Sequence, residues 1–201
     1  MILKIRAVGE PVLRARAKAM RPEEVLLPST RELIAAMRET LRDAPGVGLA
    51  APQVGLPLQL AVIEDREEYM KDIGREVLAE RERKPVAFHV LINPVLTLES
   101  PPEVEFFEGC LSLPGFVALV PRARKVKVEC LDEHGKAKVI RASGWYARIL
   151  QHEIDHLGGA LYVDRMDTTS LSSVDNFTRH WKGKSVAEIK RLLPHIAGER
   201  P

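Results

Sequence analysis

Apolar residues recur at helical spacing at Leu33, Ile34, Met37 and Leu41, behind the helix-capping types Ser29 and Thr30. The spacing predicts a helix from about residue 30 to 42. It ends near Ala44-Pro45-Gly46, because proline disfavours helix at the residue before it. Leu58 to Ile63 reads as a buried strand, Phe88 to Leu98 as another, and Val104 to Phe107 as a sheet resumed after the Pro101-Pro102 break. Lys125 to Cys130 alternates polar and apolar residues strictly, Asp132-Glu133-His134-Gly135 is a turn, and Ala137 to Ala142 returns as the second strand of a hairpin. Cys130 shares the apolar side with Val126 and Val128 and reads as a small buried hydrophobe. Ser143 opens a long helix to about Leu157, stopped by Gly158-Gly159, and Leu161 to Val163 reads as a short strand. Ser185 with Glu188 forms a capping-box signature for a last helix near 186 to 193. This order predicts a single α+β domain, with mostly antiparallel sheets packed around the long helix.

Composition narrows the class. The chain has 201 residues, 45% of them hydrophobic and 29% charged, as in ordinary globular domains. Its 30 basic and 28 acidic residues leave a net charge of +2, which makes no case for nucleic-acid or specific DNA binding. The longest apolar run, Phe116 to Val120, is far short of a membrane span. Two cysteines, Cys110 and Cys130, do not make a disulfide scaffold. The start, Met1-Ile2-Leu3-Lys4-Ile5, lacks the layout of a secretory signal. The expectation is a cytoplasmic chain, with a processed mitochondrial or plastid form as the alternative. Asp65 to Lys84 is a charged insert, read as a solvated surface element.

Three segments carry chemistry. The first is Gln151-His152-Glu153-Ile154-Asp155-His156. Histidines at i and i+4 project from one helix face and can reach one cation, and Glu153 sits beside it as a base for an activated water. Trp145, Ile149, Leu150, Ile154 and Leu157 mark the helix as buried on much of its circumference, where imidazoles need partners. Asp155 faces away by helical phase and reads as a structural partner. The second segment is Glu108-Gly109-Cys110-Leu111-Ser112. Cys110 is either a buried thiol or a third ligand. One Cys and two His leave a fourth position open, the composition of a catalytic zinc-type site. His180 and His195 lie in a polar tail and read as surface residues. The third segment is Gly46 to Gln53, uncharged and rich in Gly and Ala. It is either a tight turn or a strip of open backbone suited to an extended peptide, ended by an amide that can donate to an oxyanion.

Together these segments resemble the peptide deformylase family. Its Gly-x-Gly-x-Ala-Ala-x-Gln loop is met by Gly46, Gly48, Ala50, Ala51 and Gln53. Its Glu-Gly-Cys-x-Ser loop is met by Glu108, Gly109, Cys110 and Ser112, and its His-Glu-x-x-His helix by His152, Glu153 and His156. The likeness extends to Gly9-Glu10-Pro11-Val12-Leu13-Arg14 and Leu91-Ile92-Asn93-Pro94, and covers roughly residues 2 to 166. Ala142-Ser143-Gly144-Trp145 and the charged insert are similar to the organelle-type branch of plants and animals. Gly158 stands where many members carry Asn or Asp.

The resemblance implies a catalytic domain over 1–166 and a helical extension of the same domain over 167–201. It implies removal of the N-formyl group from formyl-methionyl nascent peptides. Cys110, His152 and His156 would hold ferrous iron, with nickel, cobalt or zinc as substitutes. Glu153 would be the general base, and the Gln53 amide and the Leu111 N–H would stabilise the oxyanion. Val47, Trp145 and Ile149 would line the methionine pocket, and the downstream peptide would run along residues 46 to 48, past Gly48 and Gly109. Arg14 and Arg148 are expected to pair with carboxylates, and Glu108 to orient groups beside the metal. The basic tail at Arg179, His180, Lys182, Lys184, Lys190 and Arg191 reads as a solvated face, with ribosomal contact near the exit tunnel as the alternative. Competing readings are a general metallopeptidase, a binder of formylated peptides without turnover, and a structural-metal module. The last requires a fourth protein ligand that the sequence does not supply.

Overall fold

The apolar run that follows Leu58 forms β2 (Leu60–Asp65), buried along its whole length. A strand apolar on both sides belongs in a sheet covered on both faces, and the computed structural model, which describes residues 1–193, shows that arrangement. His195 lies outside the described residues. β2 pairs with β1 (Gly48–Ala50) on one side and β3 (Val86–Leu98) on the other. The sheet continues through β6 (Lys125–Leu131) to β7 (Ala137–Ser143), in the order β1-β2-β3-β6-β7, antiparallel throughout.

Two long helices cover it. After a single turn, α1 (Pro22–Val25), helix α2 (Pro28–Asp43) packs Ile34, Met37 and Leu41 against Leu60, Val62, Val90 and Ile92. It begins two residues before the predicted start because Pro28, at the first helical position, has no N–H to leave unpaired. The charged insert contains a 3-10 turn (Glu67–Met70) and α3 (Arg75–Glu80). Helix α4 (Gly144–Leu157) packs Ala147, Ile149, Leu150 and Leu157 against Ala61, Ile63, Leu91, Val126 and Val128 on the opposite sheet face. The strict alternation of β6 therefore buries Val126, Val128 and Cys130, as the pattern predicts.

A smaller antiparallel sheet, β4 (Val104–Cys110), β5 (Leu113–Arg122) and β8 (Ser172–Ser173), meets α4 from its other side. Phe107 and Leu119 pack with Phe177 and with Ile189 of the last helix, α6 (Val186–Leu192), which follows the short α5 (Val174–Asn176). The Ser185–Glu188 capping box is present. The fold is α+β with antiparallel sheets around α4, as the sequence predicts.

Two local expectations change. Ser143 occupies the cap position of α4, but its hydroxyl donates to Glu82 at 3.4 Å and makes no cap bond. Leu161 to Val163 does not form a strand. Residues Tyr162–Asp164 turn as a 3-10 helix, because the Asp164 carboxylate accepts from the Leu161 N–H at 2.8 Å and closes the turn.

Candidate active site

The α4 face opposite the large sheet holds His152 and His156, with ring centres 5.0 Å apart. Cys110 ends β4, and its Sγ lies 3.3 Å from His156 Nε2. One donor atom from each of Cys110, His152 and His156 falls within 4.8 Å of the others. Ligands from three such points can share one ion.

The surroundings prepare these groups. His152 Nδ1 is 2.9 Å from a Glu108 carboxylate oxygen. A carboxylate only accepts, so Nδ1 carries the proton and the Nε2 lone pair is left for a cation. Glu108 is buried and accepts from Arg122 Nε and Nη2 at 2.9 Å each and from Arg148 Nη1 at 2.7 Å. Burial pushes its carboxyl up, but bonds from His152 and Arg122 outweigh that and hold it well below the usual range. Burial lowers the His152 imidazole, yet Cys110 and Glu108 together hold it well above its usual value. Burial, then the charge of His152, pushes His156 well below its usual value, which favours the unprotonated ring that a cation needs. A cation bound there would take the place of the proton on His152 Nε2, and a thiolate with two neutral imidazoles suits a divalent ion.

Glu153, next to His152, is buried, and burial pushes its carboxyl up to about 7. Its Oε2 has no hydrogen-bond partner among the described residues, nor does Nδ1 of His156. The glycine motif explains how Glu153 fits. A Cβ at Gly48 would stand 2.3 Å from Glu153 Oε1. Gly48 is thus bare because Glu153 fills the space, besides any role toward a ligand.

Gln53 is held at both ends of its amide. Oε1 accepts from the Ala50 N–H at 2.8 Å, and Nε2 points to Cys110 Sγ at 3.5 Å and Ser112 Oγ at 3.2 Å. That fixes the amide so that its donor side faces the ligand cluster. The Ser112 N–H also reaches the Cys110 sulfur, at 3.4 Å.

One cavity of about 460 Å³ joins these groups. It is bordered by Val47, Gly48, Gln53, Gly109, Cys110, Leu111, Trp145, Ile149, His152 and Glu153. Every predicted site residue lines it except His156, which the ligand cluster adds. β1 and β4 are edge strands of the two sheets, so the cavity has an unpaired strand edge on each side. Phe116 and Val174 at its border are partly exposed apolar residues.

Other expectations find partners. Arg14 pairs with Asp164, and Arg148 with Glu108. Asp155 bridges Arg122, at 2.5 Å, and Arg165, at 2.8 Å, as a structural partner. Nothing in the sequence distinguishes Arg122, which stands at a strand end in a basic stretch with Arg124 and Lys125. The surface reading of the insert needs correction at its two ends. Asp65 and Arg83 are buried against each other, and Arg83 borders the cavity.

A family model described as Polypeptide deformylase matches residues 2–171. The chain belongs to the peptide deformylase family. Peptide deformylase 1A, chloroplastic/mitochondrial, of Arabidopsis thaliana is 46% identical over 86% of this chain and 64% of its own length. Peptide deformylase 3 of Streptomyces avermitilis is 46% identical over 89% of this chain and 78% of its own. A structure of the Acinetobacter baumannii class I type b peptide deformylase, bound to Met-Ala-Ser, superposes with a TM-score of 0.73 at 31% identity, covering 82% of this chain and 99% of that one. The chain spans 64% and 61% of the length of the two plant relatives it matches. No described helix is long and apolar enough to cross a membrane.

Proposed function

We propose that this chain hydrolyses the N-formyl group of N-formylmethionyl peptides, releasing formate and a free methionine amine. The observation that carries the proposal is the convergence of Cys110, His152 and His156 with Glu153 and Gln53 on one cavity. Membership of the deformylase family and the Met-Ala-Ser ligand of the Acinetobacter relative support the substrate.

Cys110, His152 and His156 would hold one divalent cation. When bound, it supplies Lewis-acid polarisation to a water and to the formyl carbonyl. Glu153 takes the proton of the attacking water and returns it to the departing amine. The Gln53 Nε2 and the Leu111 N–H donate to the oxygen that gains charge, at a contribution of about 3 kcal/mol for one such donor. The open edges of β1 and β4 receive an extended peptide by strand addition. Val47, Trp145 and Ile149 shape the recess for the first side chain.

Thiolate with two imidazoles suits zinc, while resemblance to the family favours ferrous iron as the working ion, with nickel or cobalt as substitutes. Iron beside a thiolate is prone to oxidation, so the iron-loaded form would lose activity in air. The test is formate release from formyl-Met-Ala-Ser by protein loaded anaerobically with ferrous iron. Stoichiometric formate that stops on chelation supports the reading. Cleavage of an internal peptide bond, or no formate, overturns it.

A further inference from the structure

Arg83 borders two cavities at once. On one side lies the substrate cavity of about 460 Å³. On the other is a second cleft of about 490 Å³, bordered by Leu78, Lys84, Val86, Arg141 and Tyr146. No other described residue is common to both. Arg83 comes from the far end of the charged insert, outside the motifs that mark the site.

Its guanidinium is fixed. Nε and Nη2 each donate at 2.8 Å to the two oxygens of Asp65. The Asp65 side chain is fully buried, and that of Arg83 is 9% exposed. The guanidinium carbon sits 5.3 Å from the Trp145 ring centre. Two residues earlier, the Arg81 carbonyl accepts from the Trp145 N–H at 2.8 Å, which straps this end of the insert to the start of α4. A bidentate pair holds a planar group in one orientation and cancels its charge. Arg83 therefore meets the substrate cavity as a rigid, neutralised plate beside Trp145.

We propose that Arg83 is a specificity-determining residue, the partition that sets how deep the first side chain of the substrate can reach. It separates the methionine recess from the second cleft and excludes longer or bulkier first residues. The proposal rests on the deformylase reading above and deepens it.

Removing Arg83 alone leaves Asp65 buried without a partner, which costs stability. The test therefore pairs Asp65→Asn with Arg83→Ala, and compares it with Asp65→Asn paired with Arg83→Met, which restores bulk without charge. The readout is the ratio of kcat/KM for formyl-Phe-Ala-Ser over formyl-Met-Ala-Ser. In the alanine pair the ratio rises about tenfold or more, the scale on which an added group is discriminated in an apolar pocket. In the methionine pair it stays near that of the parent. An unchanged ratio in the alanine pair, or an equal rise in both, overturns the partition.

A length series on the unaltered protein needs no variant and gives a second readout if the alanine pair does not fold. Rates for formylated norvaline, norleucine and 2-aminooctanoate peptides should fall steeply once the side chain outgrows methionine. Equal rates overturn the proposal. Absence of formate from formyl-Met-Ala-Ser with the unaltered protein defeats the deformylase reading instead.

Discussion

Glu108 and His152 are joined by a 2.9 Å contact between a buried carboxylate and the imidazole Nδ1, and the carboxylate is clamped from behind by Arg122 and Arg148. This relationship fixes which ring nitrogen of His152 faces Cys110. Asp155 and Arg165 extend the chain of ion pairs from the site to the surface.

Glu108→Gln should weaken cation affinity by about 10- to 100-fold, the usual cost of losing a partner behind a ligating histidine. It should also destabilise the fold by about 3 kcal/mol, because Arg148 is left buried without its carboxylate and Arg122 keeps only Asp155. Chelator competition measures the first effect and a denaturant melt the second. Unchanged affinity would show that Glu108 is only a structural counter-ion.

Glu153→Ala should retain the cation and lose turnover by about 10²- to 10⁴-fold, the range contributed by a positioned acid–base group. Metal content by elemental analysis and formate release are read on the same sample. Near-normal turnover would remove Glu153 from the chemistry.

Gly48→Ala puts a methyl group where Glu153 Oε1 now lies, 2.3 Å from the new carbon. The carboxylate must move, and turnover should fall about a hundredfold with the cation still bound, since small misplacements are costly in catalysis. The readout is kcat at saturating formyl-Met-Ala-Ser. A rise in KM alone, with kcat intact, would mean that Gly48 serves only the peptide.

His89 supplies a pH prediction away from the ligands. Its Nδ1 faces the Ala87 carbonyl at 2.9 Å and its Nε2 the Tyr146 hydroxyl at 2.9 Å, a pattern that suits the neutral ring, with Tyr146 donating. Burial lowers its pKa, more than the Ala87 bond raises it. The unfolded chain therefore binds this proton at a higher pH than the folded chain. Stability from this site is intact above about pH 6.5 and declines as pH falls below it. His89→Gln should flatten the loss of Tm between about pH 7 and 5.5. An identical slope in both proteins would contradict the assignment.

The periodic parts of the fold are legible in the sequence, and so are the residues that converge on the cavity. Lys125 to Cys130 alternates because one side of β6 meets α4, and Leu60 to Ile63 is continuously apolar because β2 is covered on both faces. The His-Glu-x-x-His spacing places its donors by helix geometry alone. Long-range partners were not legible. Nothing local ties Arg122 to Glu108, and Arg83 sits in a run of charges that by composition reads as solvated. Its burial follows from pairing with Asp65, 18 residues earlier, across the ends of the insert. At Tyr162 three apolar residues in a row suit a strand, but the bond from the Leu161 N–H to Asp164 closes a 3-10 turn instead.

The most direct measurement is the ligand shell of the zinc-loaded protein by X-ray absorption. The account predicts one sulfur at about 2.3 Å and two imidazole nitrogens at about 2.0–2.1 Å, with a light-atom ligand completing the shell. A shell without sulfur, or one with a second sulfur from Cys130, would contradict it.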